Sequence, residues 1–513
     1  MTRKKALRNI ITSVLTKSIT IVLMLFAQRA LIKNIGNEAN GLYSLFASVI
    51  GFLSVAELGI GSAITFSMYE PVANGKKDVV SAIYKIYKKI YFIVGAIILV
   101  AGVGIMFAVP YLASDESGIF NIRLNFLIYL LSVVLTYTFH FKKSFIGAFR
   151  DNYKNDITLF VGKVVQVLIQ VIVSRYYNLL EIYVFALFIG NLVESLLTHI
   201  VFAKKYKSFL TNNTILEKVV KQDIIKRIKA MFMHKIGGLL VSTLNGIVIS
   251  AVISVVILGY YSNYVLITAG LSSVIILLFS SLTSVVGHLF VKKDSETMYK
   301  YFKTFYILNY FIGFLFFLGF LAIGDQLVSL LFGPQLVMER YFIIALTLTT
   351  FTTFMRQSSL LFKDAAGNFY YDRYKPLYEG IINIALSLLF VHFFGVVGVL
   401  IATILTNLFI CHIVEPYIVF KYSLKMSSKK YYLINYSLVL LFGLTIIIFE
   451  LINFSIENLY LDILANGFLS VVVTCVVSIF LYLISPTIRE SLKLIKDNFL
   501  PKKRKENLPN AHD

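Results

Sequence analysis

The stretch IITSVLTKSITIVLMLFAQRALIKNIGNEANGLYSL, residues 10–45, combines an apolar run long enough to cross a membrane with a lysine, Lys17, inside that run. A charge at the centre of a bilayer costs at least about 2.5–3.5 kcal/mol on insertion scales. The pattern returns 218 residues later, where Lys235 corresponds to Lys17 and GYYS at 259–262 corresponds to GLYS at 41–44. This repetition predicts two related halves, each with a buried cation.

The composition is that of a polytopic membrane protein. Of the 513 residues, 58% are hydrophobic and only 15% are charged, and the mean hydropathy is +0.80. The apolar runs are continuous rather than alternating, which predicts spanning α-helices rather than a β-barrel. Both cysteines, Cys411 and Cys475, fall in apolar runs, which favours small buried residues over a disulfide.

The hydropathy pattern predicts an all-α fold with fourteen transmembrane helices, and an even number places both termini on one side of the membrane. The predicted spans are residues 10–33, 40–68, 90–112, 123–143, 156–176, 181–203, 230–254, 262–290, 302–323, 341–362, 377–394, 396–420, 431–450 and 463–485.

The net charge of +21 is distributed as a membrane topology requires, so it does not predict a nucleic-acid partner. Of 48 Lys and Arg residues, 39 fall in the termini and alternate loops of one side, and four fall in the loops of the other. The basic side is the cytoplasmic one. The first apolar run is too long for a signal peptide, so we expect it to be retained, with both termini in the cytoplasm.

Internal matches predict the domain organisation. AFRDNY at 148–153 parallels AGNFYY at 366–371, and Asn-Leu at 191–192 parallels Asn-Leu at 407–408. These offsets predict two parallel six-helix bundles, followed by two further helices. The predicted units are an N-terminal bundle at 1–203, a cytoplasmic linker at 204–229, a C-terminal bundle at 230–420, two additional transmembrane helices at 421–485 and a basic cytoplasmic tail at 486–513.

Four cations within the spans are predicted at one depth. Lys17, Lys163, Lys235 and Arg356 lie about 8–11 Å from the cytoplasmic ends of their helices. One charge sign at one level predicts a cavity open to the cytoplasm, and the alternative is that the long side chains extend to the inner headgroups. Arg29 lies near the outer end of its helix, where extension to the outer headgroups is expected.

Polar side chains share a helix face with each of these cations, as expected for a bundle interior. The polar residues that we expect to face a substrate are Gln28 beside Lys17, Gln166 and Gln170 beside Lys163, Ser242 and Asn245 beside Lys235, and Thr352 beside Arg356.

Glu57 is the deepest acid in the predicted spans. It is a candidate either for carrying a coupling proton or for a structural ion pair that neutralises Lys17 or a neighbour. The sequence has no GxxxxGK[ST] loop, no metal-ligand spacing of histidines and no Ser/His/Asp constellation. We therefore expect a protein that is not an enzyme and that has no metal and no cofactor.

Three stretches resemble the polysaccharide transporter family of the multidrug/oligosaccharidyl-lipid/polysaccharide exporter superfamily, which includes Wzx-type O-antigen and capsule repeat-unit flippases. They are ANGLYSLFASVIGFLSVAELGIGSA at 39–63, LNGIVISAVISVVILGYYSNY at 244–264 and AAGNFYYDRYKPLYEGIINIALSLLFVHFFGVVGVLIATILTNL at 365–408. The last is the most specific, through its order of AG, DRY, P, N, S and FG-GV.

This resemblance implies a flippase that moves an undecaprenyl-diphosphate-linked oligosaccharide from the inner to the outer leaflet of the bacterial plasma membrane by alternating access. It implies a lipid-linked oligosaccharide and membrane lipid as partners, with other polysaccharide-assembly membrane proteins as candidate associates. On this interpretation Lys17, Lys163, Lys235 and Arg356 bind the diphosphate headgroup, and the polar residues named above face the sugar.

The alternatives are a lipid II flippase, which shares the headgroup and the fourteen spans, and a multidrug exporter of the same superfamily, which would need acids rather than cations in its lumen. A membrane polysaccharide polymerase is more distant. It would need a sizeable outer loop or a catalytic cytoplasmic domain, whereas every predicted outer loop is short.

Overall fold

The computed structural model describes residues 3–57, 60–113, 120–211, 222, 243–368 and 371–499, and these ranges contain helices and no strand. A 3₁₀ turn at Ser54–Glu57 lies between the second and third helices of the first half. The helices of the first half are α1 (Arg3–Asn34), α2 (Asn37–Leu53), α3 (Ile60–Ala73), α4 (Lys77–Met106), α5 (Val109–Ala113), α6 (Ile122–Ala148), α7 (Asn152–Tyr176) and α8 (Leu180–Lys205).

The second half is more irregular. Two π-helical segments, Asn407–Cys411 and Val419–Leu424, flank the short helix His412–Ile418. The helices are α9 (Thr243–Val252), α10 (Val255–Lys292), α11 (Ser295–Phe332), α12 (Arg340–Met355), α13 (Gln357–Ala366), α14 (Lys375–Thr406), α15 (His412–Ile418), α16 (Lys429–Ile452), α17 (Leu459–Ile484) and α18 (Pro486–Phe499).

The prediction of an all-helical polytopic membrane protein is confirmed. Within the described ranges, ten helices are long and apolar enough to cross a membrane. The count of fourteen spans stays a prediction, because some predicted spans do not map onto single helices. The predicted span at 40–68 is broken after Leu53 and the one at 341–362 is broken at Arg356, whereas α14 joins two predicted spans across a kink at Gly395, where φ is 56°.

Two helices extend beyond the predicted spans. The third span was expected to begin at residue 90, but α4 begins at Lys77, because Val80, Ile83 and Tyr87 bury one apolar face of this extension against the protein. The predicted basic tail begins with an ordered helix, α18, which packs against α11. The more distal basic cluster, at 502–505, lies outside the described residues.

The buried apolar side chains form two clusters, as two bundles would require. One is built mainly from α2, α4, α6 and α8, and the other mainly from α10 to α13 and α16. The predicted domain boundaries stay a prediction.

The two stretches related by the offset of 218 pack against each other. A Cβ atom on Gly41 would lie 1.9 Å from the carbonyl oxygen of Val255, and one on Gly259 would lie 2.5 Å from that of Asn37. Real Cβ atoms do not approach backbone oxygens so closely, so glycine is required at both positions. The close contact between α2 and α10 therefore depends on two glycines that occupy the same place in the repeat.

Candidate functional site

Helix α1 has two exposed faces, and Lys17 lies on the one that points away from lipid. Leu15, Val22 and Phe26 are 50–57% exposed and recur with helical spacing, as expected for a lipid-facing stripe. Lys17 is also exposed, but at 100° per residue it falls on the opposite side of the helix, together with Met24. This second exposed face belongs to the interior of the protein.

The neighbours of α1 support this placement. On one side of the Lys17 face, Ser13 donates a hydrogen bond from Oγ to Oδ2 of Asp156 on α7, at 2.7 Å. On the other side, Ile21 packs closely on Gly270 of α10. A Cβ atom added to Gly270 would lie 2.8 Å from Cγ2 of Ile21. Lys17 thus points into the gap between α7 and α10.

Helix α7 contributes the second interior cation, Lys163. Its lipid-facing stripe contains Leu168 and Ile172, which are 56% and 54% exposed, whereas Lys163 and the 38% exposed Leu159 lie on the opposite face. Lys163 donates from Nζ to Oε1 of Gln166 at 2.8 Å. We therefore assign Lys163 to the same interior space as Lys17.

The hydrogen bonds between α1 and α7 fix the relative depth of the two lysines. The helices run parallel, because Ser13 pairs with Asp156 near one end and Asn34 pairs with Ser174, at 3.5 Å, near the other. Lys17 lies four residues beyond Ser13, and Lys163 lies seven residues beyond Asp156. At 1.5 Å per residue, the two cations differ in depth by about 5 Å.

The interior space is open on the side of the α1 N-terminus and closed on the other. Along α7 the interior face changes from exposed Leu159 and half-buried Lys163 to buried Gln166, Gln170 and Ser174. Gln166 donates to Gln170 at 3.4 Å, and Gln170 donates to the carbonyl of Tyr183 at 3.5 Å. Where the helices converge, the buried amides are therefore hydrogen-bonded within the protein.

Amide contacts between the two halves complete the closure. Nε2 of Gln28 donates to Oδ1 of Asn263 at 2.6 Å, and Nδ2 of Asn40 donates to the same oxygen at 3.1 Å. Nδ2 of Asn37 donates to the carbonyl of Val256 at 2.9 Å. These bonds join α1 and α2 to α10 beside the Gly41 and Gly259 contact, so the predicted sugar-facing Gln28 belongs to the closed end.

Lys17 and Lys163 are not neutralised by ion pairs within the described ranges. Lys17 makes no hydrogen bond or ion pair there, and the one partner of the Lys163 amino group is the neutral Gln166. The carboxylate of Glu194 lies close enough to interact electrostatically with Lys163, but it is ion-paired with Lys143. Both ammonium groups therefore lack a direct ion-pair partner and can donate to an anion that enters the space, which also contains the Asp156 carboxylate.

Arg356 has the opposite environment. It lies at the break between α12 and α13, where its guanidinium donates to Glu379 at 2.9 Å, to Asn407 at 3.0 Å and to both oxygens of Glu415 at 2.7 and 3.2 Å. Lys375 donates to both of these carboxylates at 2.6 Å. Two cations and two carboxylates leave this buried network without net charge, so we leave Arg356 out of the headgroup site proposed below.

The remaining predicted residues are dispersed. Asn245 donates to Oγ1 of Thr403 at 3.3 Å, and Oγ1 of Thr352 donates to the Leu348 carbonyl within its own helix at 2.9 Å. Both side chains are buried. Lys235 and Ser242 lie outside the described residues.

Glu57 does not pair with Lys17. Its carboxylate accepts a hydrogen bond from the Tyr91 hydroxyl at 3.1 Å and lies 3.4 Å from Nε2 of His140. The imidazole stacks on the Tyr91 ring with centroids 5.2 Å apart. Sequence analysis missed His140 and Tyr91, because they lie on α6 and α4 and no local pattern links them to Glu57.

A polar cluster holds the base of α1 against α6, α7 and α8. Asp151, in the loop between α6 and α7, accepts from Lys205 at 2.8 Å and from the Tyr206 hydroxyl at 2.6 Å, and pairs with Lys5 of α1 at 3.2 Å. Burial of the Asp151 carboxyl acts to raise its pKa, but the hydrogen bonds from Lys205, Tyr206 and Lys5 outweigh it and lower the pKa to about 2. The cluster thereby fixes the position of the helix that carries Lys17.

In the part of the chain that the structure describes, no group of three or more His, Cys, Asp or Glu side chains is arranged to hold a metal ion. The interior side chains that remain to bind a ligand offer ammonium groups, amides and hydroxyls. This combination is suited to anionic and polar ligands.

No family model matches the sequence, and no curated protein matches it. Solved structures share the fold at low identity. An inward-facing multidrug resistance MATE family transporter of the MOP superfamily has a TM-score of 0.64 at 14% identity, over 79% of this chain and 95% of its own. An outward-facing structure of such a transporter has a TM-score of 0.56 at 14% identity, over 82% and 96%.

The lipid II flippase MurJ, in an inward closed conformation, has a TM-score of 0.64 at 15% identity, over 92% of this chain and 99% of its own. At such identities a likeness establishes the fold. The chain has the fold of the MATE and MurJ membrane transporters.

Proposed function

We propose that this chain is a flippase that moves an undecaprenyl-diphosphate-linked oligosaccharide repeat unit from the inner to the outer leaflet of the bacterial plasma membrane, for cell-surface polysaccharide synthesis. The observation that carries the proposal is the pair Lys17 and Lys163. The two cations differ in depth by about 5 Å, face an interior open towards the α1 N-terminus, and have no ion-pair partner in the described ranges.

A diphosphate headgroup needs such a pair to enter the membrane. It carries negative charge that water stabilises, and ammonium groups replace part of this hydration through short charge-assisted hydrogen bonds. A neutral or cationic substrate would gain nothing from two unneutralised lysines, which cost free energy when the site is empty. The cation pair therefore favours an anionic lipid over the organic cations of a multidrug exporter.

The sugar would follow the headgroup into the polar part of the interior. Gln166 and Gln170 lie directly beyond Lys163 on the same face of α7, and their mutual bond of 3.4 Å is long. Replacing this weak hydrogen bond with one to a sugar hydroxyl costs little free energy. Asn245 and Thr352 lie on other helices and are proposed sugar contacts only for a state in which the halves have separated.

Transport by alternating access requires the closed end to open. The bonds of Asn263 with Gln28 and Asn40 are neutral and few, so the two halves can separate there without exposing an unpaired charge. The excess of Lys and Arg in the termini and loops on the side of the α1 N-terminus supports the assignment of the open end to the cytoplasm. Both termini then lie in the cytoplasm.

Transport of lipid II is the second candidate function. The specific observation that favours it is that the MurJ match covers 92% of this chain, against 79% for the inward-facing MATE transporter. Both substrates would present a diphosphate to Lys17 and Lys163. Association with other polysaccharide-assembly membrane proteins stays a prediction.

The test is a flipping assay with purified protein in liposomes. Undecaprenyl-diphosphate-linked oligosaccharide is placed in both leaflets, and the fraction that a membrane-impermeant glycan oxidant reaches over time is measured. We expect the wild type to bring the lipid of the inner leaflet within reach of the oxidant. The Lys17→Gln/Lys163→Gln variant should do so about tenfold more slowly. Lys33→Gln, at the exposed outer end of α1, is the matched control.

Equal rates for the double variant and the control would contradict the headgroup site. Wild-type liposomes that flip lipid II but not the oligosaccharide lipid would replace the first function with the second. In cells, the lipid that accumulates on deletion of the gene distinguishes the same two functions.

A further inference from the structure

A cavity between α11 and α18 is distinct from the interior site. Helix α18 begins at Pro486, directly after α17 ends at Ile484, and packs against the first turns of α11. Ile488 and Ser491 are buried in this contact, whereas Arg489 and Glu490 are exposed. The cavity therefore lies at the membrane surface where α17 ends and α11 begins.

The cavity has a volume of about 290 Å³ and is lined mainly by charged residues: Lys300 and Lys303 from α11, and Glu490, Ser491, Lys493 and Leu494 from α18. Three lysines and one glutamate line this space, and Glu296 lies 3.6 Å from Lys300, so an excess of one positive charge remains. Lys300 and Glu490 are 54% and 69% exposed, so the space is a groove open to the surface.

The existing partners of these lysines are loosely held. Lys303 lies 3.6 Å from Glu490, and Lys300 lies 3.6 Å from the largely exposed Glu296. A charge-assisted hydrogen bond to a carboxylate is ordinarily about 2.7–2.9 Å long. Each ammonium group has three donors, so most of the donors in the cavity remain available to a ligand.

The cavity lies beside the end of an apolar, exposed helix. On α17, which ends directly before α18, Leu483 and Ile484 are 67% and 63% exposed. A ligand that binds the lysines and lies against these side chains has a compact anionic group next to an apolar chain. Phospholipids have this chemistry, and the leaflet beside cytoplasmic loops supplies anionic ones.

We propose that the cavity between α11 and α18 binds the phosphate headgroup of an anionic phospholipid, with Lys300, Lys303 and Lys493 as the phosphate ligands and the exposed end of α17 against the start of an acyl chain. The bound lipid then holds α18 on α11. This site does not depend on the transported substrate.

The test is lipid binding to the full chain in detergent, followed by native mass spectrometry during titration with phosphatidylglycerol or phosphatidylcholine. We expect phosphatidylglycerol to bind the wild type at least about tenfold more tightly than phosphatidylcholine does, and Lys300→Gln/Lys303→Gln/Lys493→Gln to remove that preference. The matched control is Lys76→Gln/Lys88→Gln/Lys89→Gln, which neutralises three exposed lysines in the first half of the chain.

A second variant, Glu490→Gln, removes the competing carboxylate and should tighten phosphatidylglycerol binding by a few fold. A control triple variant that loses as much binding as the cavity variant would overturn the site. Competition by inorganic phosphate or glycerol phosphate as effective as that by the lipid would overturn the phospholipid as ligand. Flipping by the cavity variant, measured separately, distinguishes this proposal from the proposed function.

Discussion

The side-chain amide of Gln28 on α1 donates to that of Asn263 on α10 at 2.6 Å, and this bond closes one end of the interior between the two halves. Gly41 lies beside it, where the backbone of α2 approaches Val255 of α10. The closed state thus depends on two helices that meet with almost no side chain between them.

We predict that Gly41→Ala prevents this closure. The added Cβ would lie 1.9 Å from the Val255 carbonyl oxygen, so α2 and α10 have to separate. Ser262 contacts Asn40 at the same end, and Ser262→Cys keeps the bonds of Asn263. In a background with Cys411 and Cys475 replaced by alanine, we expect Ser262→Cys to react several-fold faster with an impermeant thiol reagent in Gly41→Ala than when Gly41 is present. Gly443→Ala is the control, because no atom lies within 4 Å of the added Cβ. Equal labelling rates in the Gly41→Ala and Gly443→Ala variants would contradict the predicted loss of closure.

The Arg356 network should matter for stability more than for substrate binding. Arg356→Met leaves Glu379 and Glu415 with fewer positive partners in a buried site, and such losses cost about 3–5 kcal/mol. Lys17→Met removes a charge without an ion pair, so its effect should be within about 0.5 kcal/mol. Thermal unfolding in detergent measures both, and similar Tm values for the two variants would contradict the division into structural and available cations.

Asp151 should make stability depend on acid pH. Because its folded pKa of about 2 lies below the ordinary value near 3.9, its contribution is present above about pH 4 and is lost as the pH falls towards 2. The Tm difference between wild type and Asp151→Asn should therefore be large at neutral pH and vanish near pH 2. Exposed Glu457→Gln is the control, and a pH-independent difference for Asp151→Asn would show that charge is not its cause.

The helical class and the interior positions of Lys17 and Lys163 could be predicted from the sequence, because spacing along a single helix decides both. The fate of Arg356 could not. Its partners Glu379 and Glu415 are 23 and 59 residues away on other helices, and depth in the membrane alone does not distinguish a paired cation from an available one. The same limit hid the contact of Glu57 with His140, which only the packing of the α2–α3 break against α6 creates.

The proposed diphosphate site is tested most directly by headgroup binding without transport. We would measure the affinity of the purified chain for undecaprenyl diphosphate and for undecaprenol, which lacks the phosphates. The wild type should prefer the diphosphate, and Lys17→Gln and Lys163→Gln should each weaken that preference by about tenfold, with Lys33→Gln unchanged. A diphosphate preference that persists undiminished in the Lys17→Gln/Lys163→Gln variant would contradict the assignment of these two lysines to the headgroup.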